Sequence, residues 1–460
     1  MMNNKTARLI EWLKQSDDFY LSDKIEVRDI ENSGKGIVLV KGQIRKNEVL
    51  ISVASSYQIN FNTVLFHISK FNKDICFPNI TYDHENNDYE EGPLLEEDPR
   101  YKMYSVFRKS TINEFTSFQL LSLYILMEWK LLPELAQGTI VSFWQPFFDV
   151  WPALDDLKSI PALWKTSKIS PYKLLLPFLT STSREHCDRI SNLISQDWEI
   201  LSPIIKQWLA VSALQYTMDE IYEIYLHIYF IINSRCLYAE VPLKKDDTTS
   251  KFTLVPYVDF VNHSEEIDRF CYPKIDYAHK DGSGLGQFVI RGGSYTYNTI
   301  GEQILFNYGP HSNDFLLNEY GFTIKRNNWN YIDISTIIKD IIIQKNDRKM
   351  IEFLEENGYW SDYMINADGF NYTSIVAISL YVTNDYDRVG KLVLGYLTED
   401  YFLPKIKPLV TEILKNLIDG YASKKESLME IGISSANDIC VYNLLNIYQG
   451  YIDVLRNVTL

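Results

Sequence analysis

The chain has 460 residues, of which 46% are hydrophobic and 23% charged, and its formal net charge is -15. This length and composition predict a globular protein of two or three domains with a sizeable core, and they exclude a disordered chain. The negative charge argues against direct binding of nucleic acid, because a phosphate backbone needs a surface of Lys and Arg. It favours either a basic protein partner or simple solubility.

The five cysteines lie far apart and form no Cys-x-x-Cys pair. This pattern predicts neither a metal site nor a disulfide framework, and it fits a reducing compartment. The first residues lack an apolar signal core, and no apolar run is long enough to cross a bilayer. We therefore expect a protein of the cytoplasm or the nucleus with no membrane partner. The sequence leaves its oligomeric state open.

The sequence predicts an amphipathic helix at residues 6–15, within a lead-in segment of residues 1–22, and strands after it. Residues 24–30 alternate with period two, and further short strands are predicted at 37–40 and 49–53. The turn between the first two strands carries Gly34 and Gly36. Glycines there suit either a plain hairpin or a backbone that approaches a ligand closely.

Residues 83–98 contain eight acidic side chains and no Lys or Arg. Such a segment is typical of a solvated loop, and the alternative is a docking surface for a basic substrate.

From 111 to about 239 the apolar residues recur at helical spacing. The last helix of this region is almost entirely apolar and ends at Ser234 and Arg235. Because a buried guanidinium must be paired or must meet an anionic ligand, Arg235 is a candidate site residue.

A second polar group follows where strand character returns. Asp259 and the run Asn262, His263 and Ser264 stand at the end of an apolar segment. Such a run caps a turn or faces a site, and the residues alone leave both interpretations open.

The stretch from Gly301 to Phe322 is unusually rich in aromatic side chains. It predicts a short strand that ends at Tyr308, then a polar turn and a helix that delivers Tyr320 and Phe322. We interpret these rings as the wall of a small pocket. After Trp329 the apolar stripes are those of packed helices.

The order of these motifs resembles that of SET-domain methyltransferases. More narrowly, it is similar to the branch typified by Rubisco large-subunit lysine methyltransferase and the fungal ribosomal-protein lysine methyltransferases. The resemblance implies an α+β fold, in which a SET domain of small twisted sheets with a C-terminal pseudoknot is interrupted by a helical insert. An all-α substrate-binding domain would follow. The implied segments are a lead-in at 1–22, SET residues 23–110, an insert at 111–239, SET residues 240–328 and a helical domain at 329–460.

The resemblance also implies roles for individual residues. S-adenosylmethionine would bind there and leave as S-adenosylhomocysteine, with no metal required. The cofactor-binding residues would be Gly34, Lys35, Gly36, Ile37, Ser234, Arg235, Asp259, Asn262, His263, Tyr308 and Phe322. The catalytic residues would be Tyr308, at the reacting methyl group, and Tyr320, on the lysine channel.

The implied function is methylation of a lysine on a basic non-histone protein, most readily a ribosomal or translation protein. Two alternatives stand beside it, a protein-histidine methyltransferase and a catalytically silent SET-fold binding module. Tyr320 favours lysine, because the histidine-methylating branch of the family lacks a tyrosine before Gly-Phe. The target lysine and the number of methyl groups transferred are not encoded in these motifs.

Overall fold

The structure is a computed structural model that describes residues 4–31, 33–84, 97–244, 251–266, 268–431 and 438–458. It divides into two compact units. The first consists of Met1–Leu157 and Asn192–Gly309, and the second of Lys158–Ser191 and Pro310–Leu460. Residues 158–191 and 310–328 thus belong to the same unit as the helical C-terminal part, whereas the sequence predicts them in the insert and in the SET domain. The expected domain boundaries stay a prediction. Of the acidic segment at 83–98, residues 85–96 lie outside the described residues.

Within its described residues, the first unit contains two four-stranded sheets and one strand pair. In neighbour order, the first sheet holds Tyr20–Leu21, Val49–Val53, Gln287–Arg291 and Tyr272–Asp276. The second sheet holds, in neighbour order, Ile25–Ile30, Gly34–Leu39, Gln303–Phe306 and Asn262–His263. The pair consists of Leu237–Tyr238 and Phe252–Thr253.

The strand Gly34–Leu39 has a partner on both edges. It pairs antiparallel with Ile25–Ile30 and, on its other side, with Gln303–Phe306. Ile37, Val38 and Leu39 are at most 2% exposed. Each such fully buried aliphatic side chain stabilises the fold by about 1.5–3 kcal/mol. The strands predicted at 24–30, 37–40 and 49–53 are thereby confirmed to within a few residues.

In the sequence, the helices of the first unit lie before and between these strands. The α- and π-helices are Asn4–Leu13, Phe61–Phe71, Pro99–Tyr104, Lys109–Glu114, Ser117–Ile125, Leu126–Leu131, Leu132–Leu135, Gln145–Phe148 and Met218–Arg235. Short 3-10 turns occupy Ser55–Tyr57, Leu154–Leu157, Pro242–Lys244, Val258–Phe260 and Tyr277–His279. The long helix Ser181–Val211 crosses the division between the units.

The helix Met218–Arg235 is fixed at both ends. It begins with a capping box between Thr217 and Glu220, and it ends because Cys236 adopts an extended backbone. Arg235 therefore occupies the last turn, where a cation is stabilised by the helix dipole. The helix predicted from the apolar pattern is confirmed, together with the position of Arg235 at its end.

The second unit is mainly helical. Its helices are Pro161–Thr166, Asn313–Tyr320, Ser335–Gln344, Arg348–Glu356, Tyr372–Thr383, Tyr386–Val393, Leu403–Glu430 and Ile439–Asn457, with 3-10 turns at Pro171–Phe178 and Glu399–Tyr401. It also contains a small sheet in the order Tyr331–Asp333, Met364–Asn366 and Gly369–Phe370. The sequence predicts only helices after residue 329, and this sheet shows that prediction to be wrong for the segment 331–370. None of the helices in the described ranges is long and apolar enough to cross a membrane.

Candidate active site at two adjacent strand ends

The candidate site of the first unit lies where the short strands Asn262–His263 and Gln303–Phe306 pair in parallel. Leu305 lies opposite Asn262, and Phe306 lies opposite His263. Parallel strands cannot be joined by a tight turn, and here the connection passes through the hairpin strands Tyr272–Asp276 and Gln287–Arg291. Asn262 and His263 therefore lie next to the end of the strand that Tyr308 follows.

Tyr308 forms hydrogen bonds with two residues of the neighbouring segment, His263 and Val261. Its backbone N–H donates to Nδ1 of His263 over 3.0 Å, and its hydroxyl donates to the carbonyl of Val261 over 2.7 Å. The rings of Tyr308 and His263 lie 5.1 Å apart at 33°. Since Nδ1 of His263 accepts a hydrogen bond, the proton of the neutral imidazole belongs on Nε2.

The Tyr308 phenol is neutral in its surroundings. Loss of water around the hydroxyl raises the pKa of Tyr308 above its ordinary value, the positive charge of Arg235 opposes this, and Asp259 adds to it. A neutral phenol whose single proton is committed to Val261 can still accept a hydrogen bond through its oxygen lone pairs.

Arg235 and Asp259 form a buried ion pair beside Tyr308. Nη1 of Arg235 lies 2.8 Å from Oδ2 of Asp259 and donates a longer bond, of 3.3 Å, to its backbone carbonyl. The Asp259 side chain is 0% exposed, and that of Arg235 is 22% exposed. Burial raises the pKa of Asp259 above its ordinary value, and the attraction of Arg235 only partly opposes the shift. A buried ion pair of this kind is weak evidence for stability, because desolvation of the two charges can cost more than their attraction returns.

Two atoms of this pair are left over. Nε of Arg235 and Oδ1 of Asp259 are buried and have no hydrogen-bond partner among the described residues. A buried polar group without a partner is rare in folded proteins and calls for an explanation, such as a ligand. Arg235 and Asp259 thus present one donor and one acceptor that the chain itself does not use.

Gly36 touches the same cluster from the neighbouring strand. A Cβ atom at this position would lie 2.8 Å from both Nδ2 of Asn262 and Oε1 of Gln303, which is closer than real Cβ contacts. Asn262 Nδ2 in turn donates to Gln303 Oε1 over 3.0 Å. Only glycine lets the strand lie this close to Asn262, so close approach and not just the hairpin explains Gly36.

Four more residues of the first unit are predicted to bind the cofactor, and the structure places them as follows. Ile37 points into the core at 0% exposure. Lys35 reaches an exposed Asp29, 3.4 Å away, so only its backbone can face a ligand. The hydroxyl of Ser234 donates to the carbonyl of Phe230 in its own helix, over 2.6 Å. Gly34 starts the strand at the hairpin turn.

Tyr320 and Phe322 belong to the second unit. Tyr320 ends the helix Asn313–Tyr320, Gly321 closes it with a φ of +78°, and Phe322 follows. The Tyr320 and Phe322 rings lie 6.1 Å apart, and both residues are half-buried. Their expected places on the lysine channel and against the cofactor stay predictions.

Sequence reasoning missed Gln303 and Val261. Gln303 accepts the Asn262 amide, and the Val261 carbonyl accepts the Tyr308 hydroxyl. Period-two alternation could have placed Gln303 on the same strand face as Leu305, but no pattern marks a backbone carbonyl such as that of Val261. Among the described residues, no group of three or more His, Cys, Asp or Glu side chains could hold a metal ion.

This chain is similar in sequence to ribosomal lysine N-methyltransferases of two fungi. Ribosomal lysine N-methyltransferase 2 of Saccharomyces cerevisiae is 45% identical over an alignment covering 99% of this chain and 98% of that protein. Ribosomal lysine N-methyltransferase set11 of Schizosaccharomyces pombe is 28% identical over 46% of this chain and 54% of its own length. A sequence model of the ribosomal lysine N-methyltransferase 2 C-terminal domain matches residues 330–459.

Solved structures agree with the fold. The SET domain of LSMT bound to lysine and AdoHcy has a TM-score of 0.55 at 15% identity, covering 99% of this chain and 90% of that chain. Rubisco LSMT bound to sinefungin and monomethyllysine gives the same values. At this identity the likeness shows the fold alone. It confirms the expected α+β SET architecture with a helical C-terminal domain.

Proposed function

The chain belongs to the ribosomal lysine N-methyltransferase 2 family, and from this premise we propose that it transfers methyl groups from S-adenosylmethionine to a lysine of a ribosomal protein. The observation that carries the proposal is the contact of Tyr308 with His263, 45 positions apart in sequence, at the junction of two parallel strand ends. That contact joins the residues expected at the methyl group and at the cofactor.

The unused atoms of Arg235 and Asp259 fit the cofactor. The methionine part of S-adenosylmethionine carries both a carboxylate and an ammonium group. A guanidinium donor beside a carboxylate acceptor matches such a pair, and hydrogen bonds to charged groups stabilise by about 1.5–3 kcal/mol each. We therefore assign Arg235 and Asp259 to the polar end of the cofactor, with Asn262, His263 and the backbone of 34–37 beside them.

When bound, S-adenosylmethionine supplies a methyl group on a sulfonium centre, which becomes a neutral thioether. The protein's part is then alignment and exclusion of water. Tyr308 serves alignment, because the bond to Val261 fixes the hydroxyl and directs its lone pairs away from that carbonyl. Those lone pairs can accept a hydrogen bond from the lysine amine. The raised pKa of Tyr308 keeps the phenol neutral, so it orients the amine and does not act as a phenolate base.

The acceptor lysine must lose its proton before it reacts. A free lysine is about 99.9% protonated at neutral pH, judged from its reference pKa. Desolvation and a neighbouring positive charge both disfavour the ammonium form and lower the lysine pKa on binding. The proton can then leave through water, and no residue of the chain needs to act as a general base.

The net charge of -15 suits a ribosomal substrate. Ribosomal proteins are basic, and an acidic surface raises their rate of encounter with the enzyme. We place the reaction in the cytoplasm or the nucleus, where ribosomal proteins occur. A histidine acceptor and a silent binding module are not favoured, because the relative that matches along the whole chain is named for lysine methylation.

The test is transfer of label from S-adenosylmethionine to ribosomes of Saccharomyces cerevisiae cells that lack their own ribosomal lysine N-methyltransferase 2. We expect one labelled protein whose modified residue is a methylated lysine by mass spectrometry. Label on histidine would support the first alternative. Cofactor binding with no label on any ribosomal protein would support the binding module.

A further inference from the structure

The backbone turn that carries Tyr320 and Phe322 is held from outside its own helix. The carbonyl of Gly321, between the two rings, accepts hydrogen bonds from Ser159 Oγ at 2.6 Å and from Asn443 Nδ2 at 3.0 Å. Ser159 is 5% and Asn443 1% exposed. A Cβ at Gly321 would lie 2.7 Å from Ser159 Oγ, so the close approach of Ser159 depends on a glycine.

The same turn is also held by hydrogen bonds at Thr323, two residues after Gly321. Thr323 Oγ1 donates to Asn443 Oδ1 over 3.0 Å, and Asn446 Nδ2 donates to Thr323 Oγ1 over 2.9 Å. Asn443 and Asn446 are three positions apart on the helix Ile439–Asn457, so their side chains share one face. The hydrogen bonds run without a break from this helix to the Gly321 carbonyl.

A second anchor lies at the start of the helix that precedes the turn. The carboxylate of Asp314, which is 0% exposed, accepts from Tyr451 at 2.8 Å and from Thr180 at 2.5 Å. At 1.5 Å per residue, Asn443 and Tyr451 stand about 12 Å apart, and Asp314 and Gly321 about 10 Å. The helix Ile439–Asn457 therefore runs antiparallel to Asn313–Tyr320 and is bonded to it near both ends.

We propose that Asn443 and Ser159 are positioning residues for methyl transfer. By holding the Gly321 carbonyl they fix the directions of the Tyr320 and Phe322 rings. The last helix of the chain thereby controls cofactor affinity and the room around the acceptor amine. The inference rests on the proposed function and on the expected places of Phe322 against the cofactor and of Tyr320 on the lysine channel.

The last helix thus has a task besides any contact with substrate. It lies within the region matched by the family's C-terminal domain, residues 330–459. The Asn443 amide donates to the Gly321 carbonyl, in the peptide that joins Gly321 to Phe322, and the Asn446 amide donates to Thr323 Oγ1. Both side chains are buried, so neither is exposed for contact with a substrate. A purely stabilising role would not require this choice of peptide.

The test compares Asn443→Leu and Ser159→Ala with the control Tyr448→Phe. Tyr448 lies on the same helix, and its hydroxyl donates to a backbone carbonyl, that of Phe178, at 2.7 Å. The control therefore loses a buried hydrogen bond from the same helix without disturbing the turn. Ser159→Ala removes only one bond and keeps the test open if Asn443→Leu does not fold.

Four quantities are measured on each folded variant: the unfolding temperature, the Kd for S-adenosylhomocysteine, kcat on the ribosomes described above, and the ratio of mono-, di- and trimethylated product. We expect Asn443→Leu to lower kcat about tenfold or more, since misplacement by 1 Å can cost about a hundredfold. We also expect a weaker Kd and an altered product ratio, with smaller changes in the same direction for Ser159→Ala.

The control is expected to change only the unfolding temperature. If all three variants lose stability alike and keep the wild-type Kd, kcat and product ratio, the positioning role is wrong. If the wild-type chain binds no cofactor, or binds it and methylates nothing, the proposed function fails instead. The two failures are therefore distinguishable.

Discussion

Replacing Tyr308 with phenylalanine removes one oxygen atom and keeps the ring. The ring contact with His263 at 5.1 Å and the backbone bond from Tyr308 N–H to His263 Nδ1 can both remain. What disappears is the hydroxyl that donates to the carbonyl of Val261 at 2.7 Å. The substitution therefore separates the chemical role of the hydroxyl from the shape of the site.

We expect Tyr308→Phe to lower both the stability of the protein and its kcat. A single neutral hydrogen bond contributes about 0.5–1.5 kcal/mol to stability, so we expect a loss of about 1 kcal/mol. Removing one preorganised hydrogen-bonding group from a reacting centre lowers kcat by about 10²–10³. The loss of rate should thus correspond to about 2.7–4 kcal/mol, well above the loss of stability.

The assay measures kcat by label transfer to ribosomes and the unfolding temperature of the same preparations. Tyr363→Phe is the matched control, because Tyr363 is buried and its hydroxyl also donates to a backbone carbonyl, that of Tyr359, at 2.7 Å. The control should lose similar stability and keep the wild-type kcat. If Tyr308→Phe keeps kcat within about twofold of the wild-type value, the hydroxyl is structural, and its role in orienting the acceptor amine is refuted.

Two further predictions concern the strand contact and pH. Gly36→Ala forces a Cβ against Asn262, at 2.8 Å from its Nδ2, and should cost about 1–3 kcal/mol and weaken binding of S-adenosylhomocysteine; calorimetry showing unchanged affinity would contradict this. Burial raises the pKa of Asp314 above its ordinary value, while bonds from Thr180 and Tyr451 partly oppose the shift. The stability that Asp314 contributes is thus fully present below its unfolded pKa and is lost as pH rises through the folded one. In urea unfolding, the stability of Asp314→Asn relative to wild type should therefore increase as pH rises from about 4. A constant difference as pH rises would contradict the assignment.

Much of the secondary structure near the site can be read from local patterns. The period-two alternation in 24–30 and the apolar run that ends at Arg235 each reflect one buried face, and both elements are present. The short strands Tyr331–Asp333, Met364–Asn366 and Gly369–Phe370 could not be found in this way. Elements of two or three residues show no period, and their pairing depends on the chain around them.

The assembly of the site is a different matter. Nothing local predicts that Asn262 pairs with Leu305 or that the Val261 carbonyl receives the Tyr308 hydroxyl. These contacts join residues more than 40 positions apart, and the pairing of parallel strands depends on the crossover between them. The family resemblance, and not periodicity, brought Asn262 and Tyr308 into one predicted site.

The most direct test of the account is a calorimetric titration of the chain with S-adenosylhomocysteine. We compare wild type with Arg235→Lys, which keeps the charge but loses the planar array of donors, including the unused Nε. The control is Arg100→Lys, because Arg100 pairs with the buried Asp98 at 2.7 Å, at the start of the helix Pro99–Tyr104. The account predicts one site per chain, with affinity at least about tenfold weaker in Arg235→Lys and unchanged in the control. Equal affinity in all three proteins, or no binding by the wild type, would contradict it.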